Sequence, residues 1–152
     1  MRPIYTEKNY HARTSVGALV HRSRAAVVDA LDRELAQFDM SAAQYVVVSM
    51  LAEGRCDTAA QLCVQMPYDP GAMTRMLDRL EQKQLLRRVR SPENRRSARL
   101  ELTADGAALQ PRLRAASIAV INRLLHGFTT AEARQLESLL ERLLANAEHT
   151  SA

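Results

Sequence analysis

The spacing of apolar positions changes period along the chain and divides it into elements. From Tyr10 to Phe38, Val16, Leu19, Val20, Val27, Val28, Leu31, Leu35 and Phe38 recur at helical intervals, which predicts one long helix over that span. Asp39 and Met40 break it. Ser41 and Gln44 form a capping-box pair that opens a second helix, running to about Ala52 and closed by Gly54. The run Tyr45-Val46-Val47-Val48 has strand propensity, but its flanking caps decide for helix. Arg55-Cys56-Asp57 has room only for a brief extended bridge. Thr58 with Gln61 then repeats the capping box and predicts a short helix from Ala59 to about Gln65. Met66-Pro67-Tyr68 is a turn, because the residue before a proline is pushed out of helical conformation and Pro67 cannot continue a helical ladder.

Asp69 as N-cap and Pro70 as first helical residue open a fourth helix, reaching about Lys83. Met73, Met76, Leu77 and Leu80 fall on one stripe of it, which must face a core. Gly71, Ala72, Thr74, Arg75 and Arg79 occupy the opposite side, a lean polar face fit to lie against a charged partner. Beyond Lys83 the period drops to 2. Leu86 to Arg90 and Ala98 to Leu102 read as two strands of a hairpin, with Ser91 to Arg96 as a long basic tip. Ala98, Leu100 and Leu102 alternate with Arg99 and Glu101, so one face rests on the core. Thr103 caps a further long helix from Ala104 to His126, bent at Pro111 and stopped by Gly127. Thr129 with Glu132 starts the last helix, where Leu136, Leu139, Leu140, Leu143 and Leu144 line one face to about Ala147 and residues 149–152 fray.

These elements predict a mainly α (α+β) fold, a winged helix-turn-helix with long N- and C-terminal dimerisation helices and a small β-hairpin wing. The expected division is 1–40 for an N-terminal dimerisation helix, 41–102 for a DNA-binding lobe and 103–152 for C-terminal dimerisation helices, all in one compact chain. Two short helices joined by a tight turn place the second of them in a major groove. The terminal helices carry more leucine and valine than one such module can cover, which predicts a homodimer with its reading helices roughly 34 Å apart.

Charge sharpens this picture. Between Arg75 and Arg99 nine basic residues face three acidic ones, an excess of +6 in a chain whose whole balance is +4, so the remainder is slightly acidic. A local basic block is what binding a polyanion requires. The aromatic fraction of 4%, with no Trp, disfavours a base-stacking surface for single strands. No apolar run reaches the length of a signal peptide or membrane span, so a cytoplasmic protein without membrane contact is expected. The four histidines, at 11, 21, 126 and 149, are scattered, and neither a metal-ligand cluster nor a glycine-rich phosphate loop occurs. No enzyme, cofactor or metal is expected. Cys56 and Cys63 fit no disulfide framework and read as reduced, partly buried thiols, with a redox switch as the alternative if Arg55 favours an exposed Cys56 thiolate.

Three runs carry a family resemblance: Asp69-Pro-Gly-Ala-Met-Thr-Arg-Met-Leu-Asp-Arg-Leu-Glu-Gln-Lys83, Leu85-Leu-Arg-Arg-Val-Arg-Ser-Pro-Glu-Asn-Arg-Arg96 and Leu100-Glu-Leu-Thr-Ala-Asp-Gly106. Together they resemble the MarR family of bacterial transcriptional regulators over nearly the whole chain. The resemblance implies an obligate homodimer with one winged helix-turn-helix per subunit. It also implies a repressor released from a palindromic double-stranded DNA operator by a small aromatic or phenolic effector, bound between the DNA-binding lobe and the dimer helices.

Carried onto this sequence, the DNA-reading residues are Asp69, Pro70, Gly71, Ala72, Thr74 and Arg75 of the helix and Arg90, Ser91, Arg95 and Arg96 of the wing. Gln84 stands where the family has glycine, which costs up to about 1 kcal/mol at a left-handed cap. Asn94 replaces the usual aspartate and leaves one wing arginine without an ionic partner. Tyr10, His11, Arg24 and Tyr45 offer aromatic edges and a cation suited to a phenol or carboxylate effector. Two further readings compete: a thiol-redox-sensing repressor using Cys56 and Cys63, and a helical protein-interaction module that does not bind DNA.

Overall fold

A computed structural model of the chain describes residues 3–66, 68–90 and 98–150, with Arg90, Glu148 and Thr150 described in backbone only. The turn residue Pro67, the wing tip at 91–97 and the extreme tail lie outside the described residues. Helix α1 spans Val16–Leu35 and ends in a short 3-10 turn, Ala36–Phe38. The expected start at Tyr10 is corrected: Ser15 is the N-cap, its hydroxyl accepting from Ala18 N–H. Residues before it form turns, and the Tyr5 hydroxyl accepts the Val16 N–H at 2.9 Å. A cap supplied eleven residues upstream leaves no trace in hydrophobic period.

Helices α2 (Ala42–Ala52) and α3 (Ala59–Gln65) both begin with complete capping boxes, Ser41 with Gln44 and Thr58 with Gln61. The Asp32 carboxylate of α1 adds a second cap by accepting the Ala42 N–H at 2.6 Å. Helix α4 spans Pro70–Gln82. Strands β1 (Leu86–Arg90) and β2 (Ala98–Leu102) pair antiparallel, with Leu86 opposite Leu102 and Arg88 opposite Leu100. The Leu100 N–H also donates to the Asp57 carbonyl, so the 55–57 bridge lies along the open edge of β2. Helices α5 (Ala104–Leu124) and α6 (Thr130–Thr150) complete the chain, α6 remaining helical to Thr150 where fraying was expected.

One core joins the elements from α1 to α5. Leu35, Val47, Leu62, Met73, Leu77, Leu80, Leu86 and Leu113 are all essentially inaccessible, so α1, α2, α3, α4, β1 and α5 each contribute to it. The terminal helices leave a different surface. Val16, Leu19 and Val20 of α1, Ile118, Ile121 and Leu124 of α5, and the five α6 leucines are exposed in the isolated chain.

Candidate nucleic-acid interface

The start of α4 is the most sharply defined polar surface of the chain. Asp69 takes an extended conformation and its Oδ1 accepts the Ala72 N–H at 2.9 Å, while Pro70 occupies the first helical position. That hydrogen bond is the chief reason the Asp69 carboxyl is held below its ordinary range; partial desolvation opposes it, and the Gly71 N–H and the Arg75 charge reinforce it. The Thr74 hydroxyl donates back to the Pro70 carbonyl at 2.8 Å and so is tied to the helix. Met73, Leu77 and Leu80 bury the opposite face, and Met76 is half-buried beside them. The helix is therefore fixed in rotation with Asp69, Pro70, Gly71, Thr74 and Arg75 outward and Ala72 half-buried.

The basic block is divided by its partners. Arg88 of β1 bonds Asp78 at 2.7 Å and Glu81 at 2.5 Å, both on α4. Arg87 pairs across the hairpin with Glu101 at 2.8 Å, Arg99 with Asp57 at 2.9 Å and Lys83 with Asp39 at 3.1 Å. Among the described residues, Arg75 and Arg79 of this block have no ion pair. Guanidinium groups without a carboxylate are the ones available to phosphates or base edges at no cost of exchange. The sequence count treats all nine cations alike; what it misses is that Arg88 ties the hairpin to the reading helix, while Arg87, Arg99 and Lys83 are engaged in other pairs within the lobe. Of the expected wing contacts, Arg90 is placed in β1 opposite Ala98, while Ser91, Arg95 and Arg96 lie outside the described residues.

A second feature is a groove of about 800 Å³ where α5 turns into α6, lined by Leu31, Tyr45, Ser117, Ile121, Phe128 and Arg134 among others. Tyr45 is the one member of the expected effector set that lines it. Tyr10 stands edge-on to Tyr5 with ring centroids 5.5 Å apart, and His11 and Arg24 are exposed away from the groove. Ser117 is buried and its hydroxyl has no hydrogen-bond partner among the described residues. Its signal was legible, since a hydroxyl interrupts the stripe of Leu113 and Val120 on α5. The condition for an active Cys56 thiolate is not met: Cys56 lies in the core at 4% exposure, and Arg55 pairs with Glu53 instead. Cys63 is half-buried against the same core.

Among the described residues no helix is long and apolar enough to cross a membrane. The MarR family model matches residues 40–98, the segment from just before α2 to the first residue of β2. The multiple antibiotic resistance protein MarR of Escherichia coli (strain K12) is 31% identical over 134 residues, covering 85% of this chain and 90% of that protein. A mutant of E. coli MarR solved with operator DNA superposes with a TM-score of 0.77 at 31% identity, covering 85% of this chain and 93% of that one. A Mycobacterium tuberculosis MarR family protein solved with p-aminosalicylic acid gives a TM-score of 0.71 at 27% identity, covering 86% and 98%.

Proposed function

The chain belongs to the MarR family of transcriptional regulators, and from that premise we propose that it is a homodimeric repressor that reads a palindromic DNA operator and is released by a small aromatic or phenolic effector. It is a regulator and not an enzyme. The observation that carries the DNA reading is the outward face of α4, where Arg75 near its start and Arg79 in its last turn have no ion pair among the described residues while Arg87, Arg88 and Arg99 are engaged by carboxylates. The operator complex of the E. coli relative supports the same use of the fold. In this reading, residues 41–102 form the DNA lobe, with Asp69 to Arg75 at the base edges and Arg90, Ser91, Arg95 and Arg96 at the flanking backbone or minor groove.

The exposed apolar faces of α1, α5 and α6 support dimerisation through residues 1–40 and 103–152. Rows of exposed large apolar side chains along three helices are what an interface between subunits would cover. The groove beside Tyr45 and Ser117 has the size of small-molecule sites, and a relative binds p-aminosalicylic acid, which supports an aromatic effector.

Titration of duplex DNA at rising salt tests the core of this reading. Affinity should fall steeply with salt and drop further in Arg75→Ala and Arg95→Ala. Salt-independent or absent binding would favour a helical protein-interaction module. Unchanged affinity in both variants would misplace the reading surface.

A further inference from the structure

Gly71 separates two charged groups on the outward face of α4. A methyl group built on it would lie 3.1 Å from Asp69 Oδ1 and 3.4 Å from Arg75 Nη1, so carboxylate and guanidinium stand on either side of one missing side chain. The arrangement follows from helix geometry. Side chains lean toward the N-terminus, and Arg75, four residues beyond Gly71, reaches back over it toward the helix start. Asp69 is held in place by the Ala72 N–H and stays ionised, with the Arg75 charge contributing to that state. Arg75 has no competing ion pair among the described residues. The first turn thus presents an acceptor and a planar pair of donors side by side, at the end of the helix that enters a groove first.

From this juxtaposition we propose that Asp69 and Arg75 together read a single G·C base pair in each half-site, with Gly71 as the residue that lets them do so. The inference rests on the DNA-reading function proposed above and names its target. On the major-groove edge of a G·C pair, guanine offers two acceptors, N7 and O6, and cytosine offers the N4 amino donor beside them. A guanidinium matches the two guanine acceptors, and a carboxylate, with acceptor capacity beyond the Ala72 bond, matches the amino group. An A·T pair in the same place sets the adenine N6 amino group where the guanidinium needs an acceptor, and the thymine O4 and methyl where the carboxylate needs a donor. The carboxylate also repels the phosphate backbone, so it weakens binding wherever it finds no amino group. Asp69 is then a specificity residue whose presence costs general affinity.

The test uses the full-length chain and duplexes selected by it from a randomised pool, with each position of the selected site then changed singly between G·C and A·T. The wild-type chain should prefer G·C by roughly tenfold or more at one position per half-site. Asp69→Asn, which keeps an N-cap, should flatten that preference while raising affinity for unrelated duplex. Gly71→Ala should flatten the preference at the same position while thermal stability holds or rises, since alanine favours helix. That opposition separates a displaced Arg75 from a misfolded lobe. The proposal is overturned if the wild-type chain binds duplex with steep salt dependence but neither variant alters a G·C preference, or if the two variants act at different positions. Absence of duplex binding by the wild-type chain would instead overturn the DNA reading itself, and this inference with it.

Discussion

Gly106, on the first turn of α5, packs directly onto the backbone of Leu85: a Cβ there would fall on the Leu85 carbonyl oxygen, with the carbonyl carbon 2.9 Å away. The same carbonyl accepts the Thr103 N–H at 3.1 Å, and the Thr103 hydroxyl donates to the Gln84 carbonyl. The end of the reading helix, the return strand of the hairpin and the start of α5 meet at this point. Because the obstruction is backbone, it cannot be relieved by a side-chain rotation. Gly106→Ala should therefore lose about 3 kcal/mol of stability. A urea titration would show this as a lower midpoint, and DNA affinity at low temperature should fall as α5 is levered away from the lobe.

Gln84 takes φ 58, the left-handed conformation that closes α4 without a glycine. Side chains with a Cβ bear a steric cost there that glycine does not. Replacing Gln84 with Gly should raise stability by up to about 1 kcal/mol, partly offset by the freer unfolded chain. The expected sign is a higher urea midpoint with an unchanged slope. A lower midpoint would mean that the Gln84 side chain contributes contacts beyond its backbone.

The elements that sequence reading located are those closed by hydrogen bonds between near neighbours. Ser41 with Gln44, Thr58 with Gln61, Asp69 with Ala72 and Thr129 with Glu132 each satisfy a helix start within three residues, so the pattern and the structure coincide. The first helix starts six residues later than its hydrophobic period implies because Tyr5, far away in sequence, accepts the Val16 N–H. The reading face of α4 was legible because its apolar stripe fixes its rotation. Two things were not: the pairing of Arg88 with α4, which depends on how the hairpin folds back, and the space between Asp69 and Arg75, which depends on rotamers.

Arg88 is the structural member of the basic block. Its guanidinium is largely enclosed between Asp78 and Glu81, two carboxylates one turn apart on the same helix. Removing it leaves two like charges facing each other with no cation between them and loosens β1 on α4, which the Arg88 N–H to Glu81 bond and the burial of Leu86 still hold. Arg88→Ala should cost about 2 kcal/mol, read from urea unfolding. It should also weaken DNA binding without changing which sequence is preferred, because it moves the wing and not the base-reading turn. If preference changed and stability did not, Arg88 would belong to the reading surface.

Cys56 and Cys63 should differ sharply toward a thiol reagent. Cys56 is packed in the core, so its modification requires the lobe to open, whereas Cys63 is half-buried within α3. Labelling under native conditions should modify Cys63 first, with Cys56 following at the rate of unfolding and accelerating in urea. Rapid native labelling of Cys56 would revive thiol sensing. Peroxide release of DNA that survives in the Cys56→Ser, Cys63→Ser double variant would remove it altogether.

Two helix starts make stability sensitive to acid. Asp69 is held below the ordinary carboxylate range chiefly by the Ala72 N–H, and Glu132 by the Thr129 N–H and hydroxyl. A carboxyl that binds its proton more weakly in the folded chain than in the unfolded one stabilises the fold above the unfolded pKa. That contribution disappears as pH falls through the folded pKa. Both groups lie at the protein surface, so the effect is modest and screened by salt. Urea midpoints of wild type, Asp69→Asn and Glu132→Gln should separate near neutral pH and converge in acid below the usual carboxylate range. For Glu132→Gln the separation should reflect charge alone, since glutamine retains the capping-box acceptor. A gap that persisted unchanged into strong acid would show that packing of the side chain, and not its ionisation, accounts for the difference.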